Sequence, residues 1–314
     1  MNEMYDYYAT PEAELGVDDA QLAGFDGTAQ GPTEFGDTLA EMVRLFPKVI
    51  WGLTGYTLLW IVLYFVSVIA LSIVAGIAGA AAAGVGFVVV MVVGMAFVLA
   101  LWAFFWTATF RRLDNVYRRG TKGGEFGFAF AKTLPVMGSF FLKGMVMLPF
   151  LGAAWLVMIT MMDSVIDSMG GFLGLMAIFF LLQVAGWIAY SFVHFADMAV
   201  ICEDAGAISG LNRAFEVVKG FRNWFYMVGL FIVVMMAMWM ISTAAYCLLM
   251  IPMGLLVGAG TELFGPEAGL VGLMITYGLS LLVWLLMIPA FAVANYMAYQ
   301  SLVARWQIGR EPTW

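Results

Sequence analysis

The sequence predicts an all-α polytopic membrane protein with six transmembrane helices, and three observations carry that prediction. First, 63% of the 314 residues are apolar and only 11% are charged, with a mean hydropathy of +0.95. A soluble domain carries roughly a quarter charged residues and about half apolar ones, so this chain cannot clothe itself in a water-facing surface. Second, the apolar residues form long continuous runs, not the alternating ten-residue segments of a membrane β-barrel. Third, the basic residues gather in every second connection between those runs.

Residues 1–33 read as an acidic tail. Between Met1 and Glu41 there are ten Asp or Glu and no Lys or Arg. Runs such as Gly27-Thr28-Ala29-Gln30-Gly31-Pro32-Thr33 bury too little apolar surface to offset their ordering entropy, which predicts a mobile, solvated segment. Tyr5, Tyr7, Tyr8 and Phe25 are the side chains through which it would dock on a partner protein. The segment lacks the basic start and apolar stretch of a signal peptide.

A helix needs about 20 apolar residues to cross the hydrocarbon core. Six runs meet this length, at 51–75, 85–110, 140–162, 172–196, 224–251 and 268–296. Apart from Lys143, near the start of the third, they contain no Lys or Arg, and Arg111 lies just beyond the second. Pro149, Pro252 and Pro289 are expected to kink or end their spans, because each removes a backbone donor. The run Gly76–Gly86, rich in Gly and Ala, reads as the tip of the first hairpin.

Basic residues mark the cytoplasmic side over short loops. With six spans, all 14 Lys and Arg fall on one side. The opposite connections, at 76–84, 163–171 and 252–267, carry only Asp163, Asp167, Glu262 and Glu267. Both termini are thus expected in the cytoplasm, with the bundle in a plasma (inner) membrane.

Three short stretches precede the odd spans and resemble one another: Glu34 to Lys48, Glu125 to Lys143, and Leu211 to Asn223. The first two share Glu-Phe-Gly at a spacing of 91 residues, and Phe130 and Phe215 align at 85. Each reads as an amphipathic helix lying in the headgroup boundary. The membrane domain at 34–306 then divides into three units, 34–119, 120–205 and 206–306, each an interfacial helix plus a transmembrane hairpin, with a short cytoplasmic tail at 307–314. Two-span units keep one orientation, so these are parallel repeats.

The run from Glu203 to Trp224, Glu-Asp-Ala-Gly-Ala-Ile-Ser-Gly-Leu-Asn-Arg-Ala-Phe-Glu-Val-Val-Lys-Gly-Phe-Arg-Asn-Trp, resembles the inter-hairpin segment of a broad bacterial group. That group contains six-span proteins of uncharacterised function and the membrane domain attached to some glycerophosphodiester phosphodiesterases. The resemblance extends from about Phe35 to Arg305. It implies a fold and a location without an activity, since no counterpart of the catalytic domain of those enzymes is present in the sequence.

The fourth span carries the most chemistry. Gln183, Trp187, Tyr190, His194 and Asp197 follow at intervals of four, three, four and three, one stripe of a helix. Ionisable groups at membrane depth are costly and face a bundle interior or water. His194 and Asp197, one turn apart, are placed to share a proton or a hydrogen bond, with Arg111 and Arg112 as the cations that keep Asp197 ionised. Asn295, Tyr299 and Gln300 occupy the corresponding end of the sixth span. The polar site expected from sequence is therefore Gln183, Tyr190, His194, Asp197 and Asn295.

Several function classes are disfavoured. One His and two Cys, Cys202 and Cys247, cannot furnish a zinc centre or a disulfide scaffold. A net charge of −7 argues against nucleic acid. The 24 Met spread over all spans as soft packing and mark no metal path. No cofactor is implied, and no nucleophile, base and metal set marks an enzyme. The expectation is a non-catalytic scaffold or accessory subunit that binds membrane lipids or partner proteins. Its rival is a small-solute or proton-linked transporter using the fourth-span stripe.

Overall fold

The computed structural model describes residues 31–308 apart from 82–84, 121–122, 166–168 and 265; side chains at 78–81, 119, 162–165, 169, 246, 249–282, 284 and 286 also lie outside the description. The acidic tail expected over 1–33 falls almost wholly outside the described residues, as does 309–314.

The described chain is all helical. It runs α1 (Phe35–Ala81), α2 (Val85–Asp114), a π-helical turn (Asn115–Arg119), α3 (Glu125–Val165), α4 (Met169–Val193), α5 (Ala196–Cys202), α6 (Ala207–Val218), α7 (Phe221–Phe264) and α8 (Pro266–Ile308). Five stretches among the described residues are long and apolar enough to cross a membrane: Phe35–Ile77, Val85–Arg118, Glu125–Met161, Gly170–Cys202 and Phe221–Ala245.

Successive helices pack side by side, α1 on α2, α2 on α3 and α3 on α4, while α7 pairs with α8 and α8 returns to α1. The short helices α5 and α6 pack on each other and on α3, and α6 also touches α4, α7 and α8. The bundle is thereby tied together at one end. There sits the core: Val49, Leu53, Phe110, Leu113, Phe195, Met198, Met227, Leu230, Tyr296 and Tyr299 are all buried. The rest of the long helices presents Val62, Phe65, Ile69, Val88, Val92, Leu156, Phe180 and Leu181 outward. An apolar surface of that extent marks a lipid-facing wall. Its few hydroxyls turn inward on their own helix: Ser67 donates to the Leu63 carbonyl at 2.6 Å, Ser72 to Val68 at 2.8 Å and Thr160 to Leu156 at 2.8 Å. In hydrocarbon no water would satisfy them.

Two sequence expectations change here. The stretches at 34–48 and 125–143 are not separate interfacial helices; they are the first turns of α1 and α3, which run on without a break for 47 and 41 residues. Neither contains a residue forced to positive φ, and Pro47 and Pro135 are absorbed within the helices. The third stretch does form its own amphipathic helix, α6. Lys219 leaves the helical region (φ −51°, ψ 124°) and Gly220 takes φ 112°, a value that favours glycine. Asn223 Nδ2 then donates to the Val217 carbonyl at 3.2 Å, satisfying one of the acceptors that a helix end leaves open. Likewise the prolines at 149, 252 and 289 end no helix: α3, α7 and α8 continue through them. The connection expected over 252–267 is almost entirely helical.

Candidate functional site

The expected fourth-span stripe does not survive as one helix. α4 stops at Val193, His194 and Phe195 form a turn, and α5 restarts at Ala196. The break leaves the His194 carbonyl without a helical partner, and Lys143 takes it: Nζ donates to His194 O at 3.2 Å. The same ammonium lies 2.6 Å from Asp197 Oδ1, and Trp106 Nε1 donates to Oδ2 of that carboxylate. Lys143 and Asp197 are each at most 5% exposed. This is a buried ion pair with its hydrogen-bonding capacity engaged by three helices, α2, α3 and α5.

Two expectations about Asp197 are corrected. Its cation is Lys143, not Arg111 or Arg112. Arg111 lies 3.6 Å from Asp114 and over the Phe128 ring, and Arg112 lies 3.6 Å from Glu125 with its guanidinium over Tyr56. The reason is the length of α3: continuing back to Glu125, it carries Lys143 in its interior, level with Asp197. Nor does His194 share a proton with Asp197. His194 Nε2 pairs with Asn295 Oδ1 on α8 at 2.8 Å, and Asn295 Nδ2 donates to the Phe291 carbonyl at 2.8 Å. With that amide nitrogen engaged, the oxygen faces the imidazole, so Nε2 carries the proton. Tyr190, Phe195 and Phe231 surround the ring at 5.5, 4.9 and 5.2 Å.

The sequence-derived residues thus divide. Tyr190, His194 and Asn295 meet directly, and Asp197 joins them through the Lys143 bond to the His194 backbone. Gln183 is half-buried farther along α4 and is not part of this group. His194→Gln is expected to be mild, below about 1.5 kcal/mol, because a glutamine amide can still donate to Asn295. Thermal unfolding in detergent would check this.

A second polar layer lies at the ends of α2 and α5 and along α8; sequence reasoning placed Arg111, Arg112 and Tyr299 at such span ends and missed Asp114, Glu203 and Tyr296. Asp114, 1% exposed, has Arg111 at 3.6 Å and Arg118 at 3.9 Å, and it accepts from Tyr296 OH at 3.0 Å. Tyr299 OH donates to Glu203 Oε1 at 2.6 Å, and Arg213 Nε donates to Oε2 at 2.7 Å. Buried Glu125 accepts from the Gly123 amide at 3.1 Å as well as facing Arg112. On the α1–α7–α8 side, the hydroxyls of Thr38, Tyr226 and Ser301 form a closed triangle with edges of 2.6, 3.2 and 2.6 Å. The signal for the Asp114 layer was present: one acid amid Arg111, Arg112, Arg118 and Arg119. The hydroxyl triangle, drawn from positions 188 and 75 residues apart, left no local trace.

Among the described residues no group of three His, Cys, Asp or Glu is placed to hold a metal ion. Cavities of about 40, 760, 260 and 610 Å³ open among the described residues, and none of these four is lined by Gln183, Tyr190, His194, Asp197 or Asn295. The arrangement anchors helices to one another through buried polar contacts, with Arg112 Nε left without a hydrogen-bond partner among the described residues.

The fold and this polar centre define a helical bundle of membrane type whose buried charges are paired internally. The chain belongs to the family DUF7847, described as a domain of unknown function, which it matches over residues 123–302. That stretch takes in Lys143, His194, Asp197 and Asn295, and leaves α1 and α2, with Trp106 and Asp114, outside it. No curated protein and no solved structure matches the chain.

Proposed function

We propose that this protein is a non-catalytic integral membrane protein, a scaffold or accessory subunit that binds lipids or partner proteins at the end of the bundle where its charges gather. One observation carries the reading: the ionisable side chains of the core are closed on one another, Lys143 with Asp197 at 2.6 Å above all. A catalytic acid or base, or a proton-carrying residue, must exchange with substrate or water. Here Trp106, Asn295 and the His194 carbonyl occupy the positions from which such exchange would proceed. The rival transporter reading needs a wet path along Gln183, Tyr190 and His194, and these residues line none of the four cavities described above.

In this reading the chain has six spans, α8 being the sixth, and both termini lie in the cytoplasm of an inner-membrane protein. Two facts support the orientation. Lys132, Lys143, Arg213 and Arg305 all make their polar contacts at the end of the bundle that holds the core. Cytoplasmic loops also carry the excess of Lys and Arg. The pairing of α1 with α2, α3 with α4 and α7 with α8 supports three hairpin repeats. So does the resemblance to the membrane domain attached to some glycerophosphodiester phosphodiesterases. The acidic N-terminal segment is the part proposed to meet protein partners.

Reporter fusions after Gly79, Gly170 and Gly260 should read as external, and those after Gly120, Gly206 and Trp314 as internal. One exchange between the two sets overturns the topology. The functional reading is tested by flux. Proteoliposomes holding the full chain should show no proton flux above protein-free vesicles across a pH gradient. A flux abolished by both His194→Gln and Asp197→Asn, with folding intact, would establish the transporter instead.

A further inference from the structure

Two described cavities lie one beyond the other along the same three helices, α1, α7 and α8. Near the helix ends where α1 and α7 begin and α8 finishes, a cavity of about 760 Å³ is lined by Lys219, Arg222 and Arg305, with Glu34 as its only acid and Trp306 at its wall. Lys219 and Arg222 are exposed and form no ion pair among the described residues. Arg305 is steered by neutral groups: it donates to the Thr33 carbonyl at 2.7 Å and to Asn223 Oδ1 at 3.4 Å, and lies over the Tyr226 ring. Three cations therefore face one cavity against a single carboxylate.

Farther along the same three helices the surface becomes apolar. A groove of about 610 Å³ runs between α1 and α7 over α8, walled by residues such as Leu39, Val43, Phe46, Val233, Ala237 and Met287. From Leu39 to Ile50 the α1 wall rises about 16 Å at 1.5 Å per residue. Between the two cavities lies the triangle of Thr38, Tyr226 and Ser301, at the level where polar gives way to apolar. A cationic chamber and an apolar groove set one beyond the other on the same helices are together complementary to an amphipath with an anionic head.

The geometry points to a binding site for one anionic phospholipid, its phosphate held by Lys219, Arg222 and Arg305 and one hydrocarbon chain lying in the α1–α7 groove. Trp306 sits at headgroup level, where aromatic rings concentrate. A second copy of the chain would bring its own acidic segment and apolar wall, but no feature of the groove matches both. The assignment rests on the reading of this protein as a lipid- or partner-binding bundle and specifies the lipid class and place.

Native mass spectrometry of the full chain in mild detergent tests it, with dioleoyl phosphatidylglycerol and dioleoyl phosphatidylcholine supplied at equal concentration. The wild-type protein should retain the phosphatidylglycerol preferentially. Each Lys or Arg near anionic headgroups contributes on the order of 1 kcal/mol, so Lys219→Gln with Arg222→Gln should lower that preference about tenfold or more. Both positions are exposed, and their thermal unfolding should stay unchanged. Ala237→Trp, which fills the groove but leaves the cations, should reduce retention of phosphatidylglycerol at an unaltered melting temperature. Equal retention of the two lipids would overturn the site. So would a preference untouched by the paired substitution, which would mean that the acidic segment before Gly31 or another group fills the chamber, or dimers in place of lipid adducts. Any of these results would remove the site and leave the scaffold reading standing, since that is decided by the flux measurement.

Discussion

Lys143→Met is expected to lower the stability of the bundle by about 3–5 kcal/mol, the usual cost of removing one partner from a buried ion pair. The substitution keeps the apolar stem of the side chain but strands Asp197, 2% exposed, with the Trp106 indole as its remaining donor. It also strips the His194 carbonyl of its partner at the α4–α5 break. The charge itself is the larger part of the loss, because a carboxylate without a counter-ion in a low-dielectric interior is costly. The double variant Lys143→Met with Asp197→Asn separates the two effects. The introduced amide still offers an acceptor to Trp106 and carries no charge, so the double variant should recover most of the stability lost in Lys143→Met. Unfolding in detergent, followed by circular dichroism, measures both. A single variant within about 1 kcal/mol of wild type, the worth of an exposed pair, would mean that water reaches Asp197.

Gly210→Leu is expected to be comparably damaging, by about 3 kcal/mol or more, because it overpacks a helix crossing that has no slack. A Cβ at Gly210 would lie 2.6 Å from Val200 Cγ2 and 2.7 Å from the Ala196 carbonyl oxygen. The valine methyl can rotate away, but the carbonyl belongs to the backbone of α5. Relief requires α5 to move off α6, and α5 carries Asp197 in its first turn. The lesion at 210 should therefore spread to the Lys143 pair. Gly210→Ala should fall between wild type and Gly210→Leu. As an internal control, Gly206→Ala, whose Cβ meets nothing within 4 Å, should leave the melting temperature almost unchanged. Equal melting temperatures for Gly206→Ala and Gly210→Leu would contradict the close crossing.

The helical class and the approximate positions of the long helices were legible in the sequence because lipid imposes a coarse rule: about 20 apolar residues per crossing, free of charge. That rule carries no information on where a helix stops outside the hydrocarbon. Hence the first turns of α1 and α3 looked like separate interfacial helices, when only Lys219-Gly220 supplies a backbone break. The polar centre was half legible. Spacing drew attention to Tyr190, His194 and Asp197, since few polar side chains interrupt that span. Spacing on an ideal helix could not foresee the turn at His194-Phe195, which rotates Asp197 toward α3 and frees a carbonyl for Lys143. Lys143 itself was visible only as a cation at the border of a run. Asn295 was picked out by its place at the end of the sixth span, although its pairing with His194 was not; Trp106 comes from 91 residues away, a distance at which helical periodicity says nothing. Trp106 in particular reads as one more apolar side chain until its indole N–H is counted as a donor.

In the proposed reading the polar residues from Gln183 to His194 serve structure and open no path for solute, and water-accessibility labelling tests this most directly. In a background with Cys202 and Cys247 replaced, single cysteines are placed at 183, 190 and 194, and membranes are exposed to a charged, membrane-impermeant thiol reagent from each side. Position 197 is avoided, because losing its carboxylate would unpair Lys143. Protection at 183 and 190 from both sides, with labelling at 194 no greater than at 190, is the predicted result. Graded labelling that extends from 194 through 190 to 183 would reveal a water-filled path and contradict the structural role.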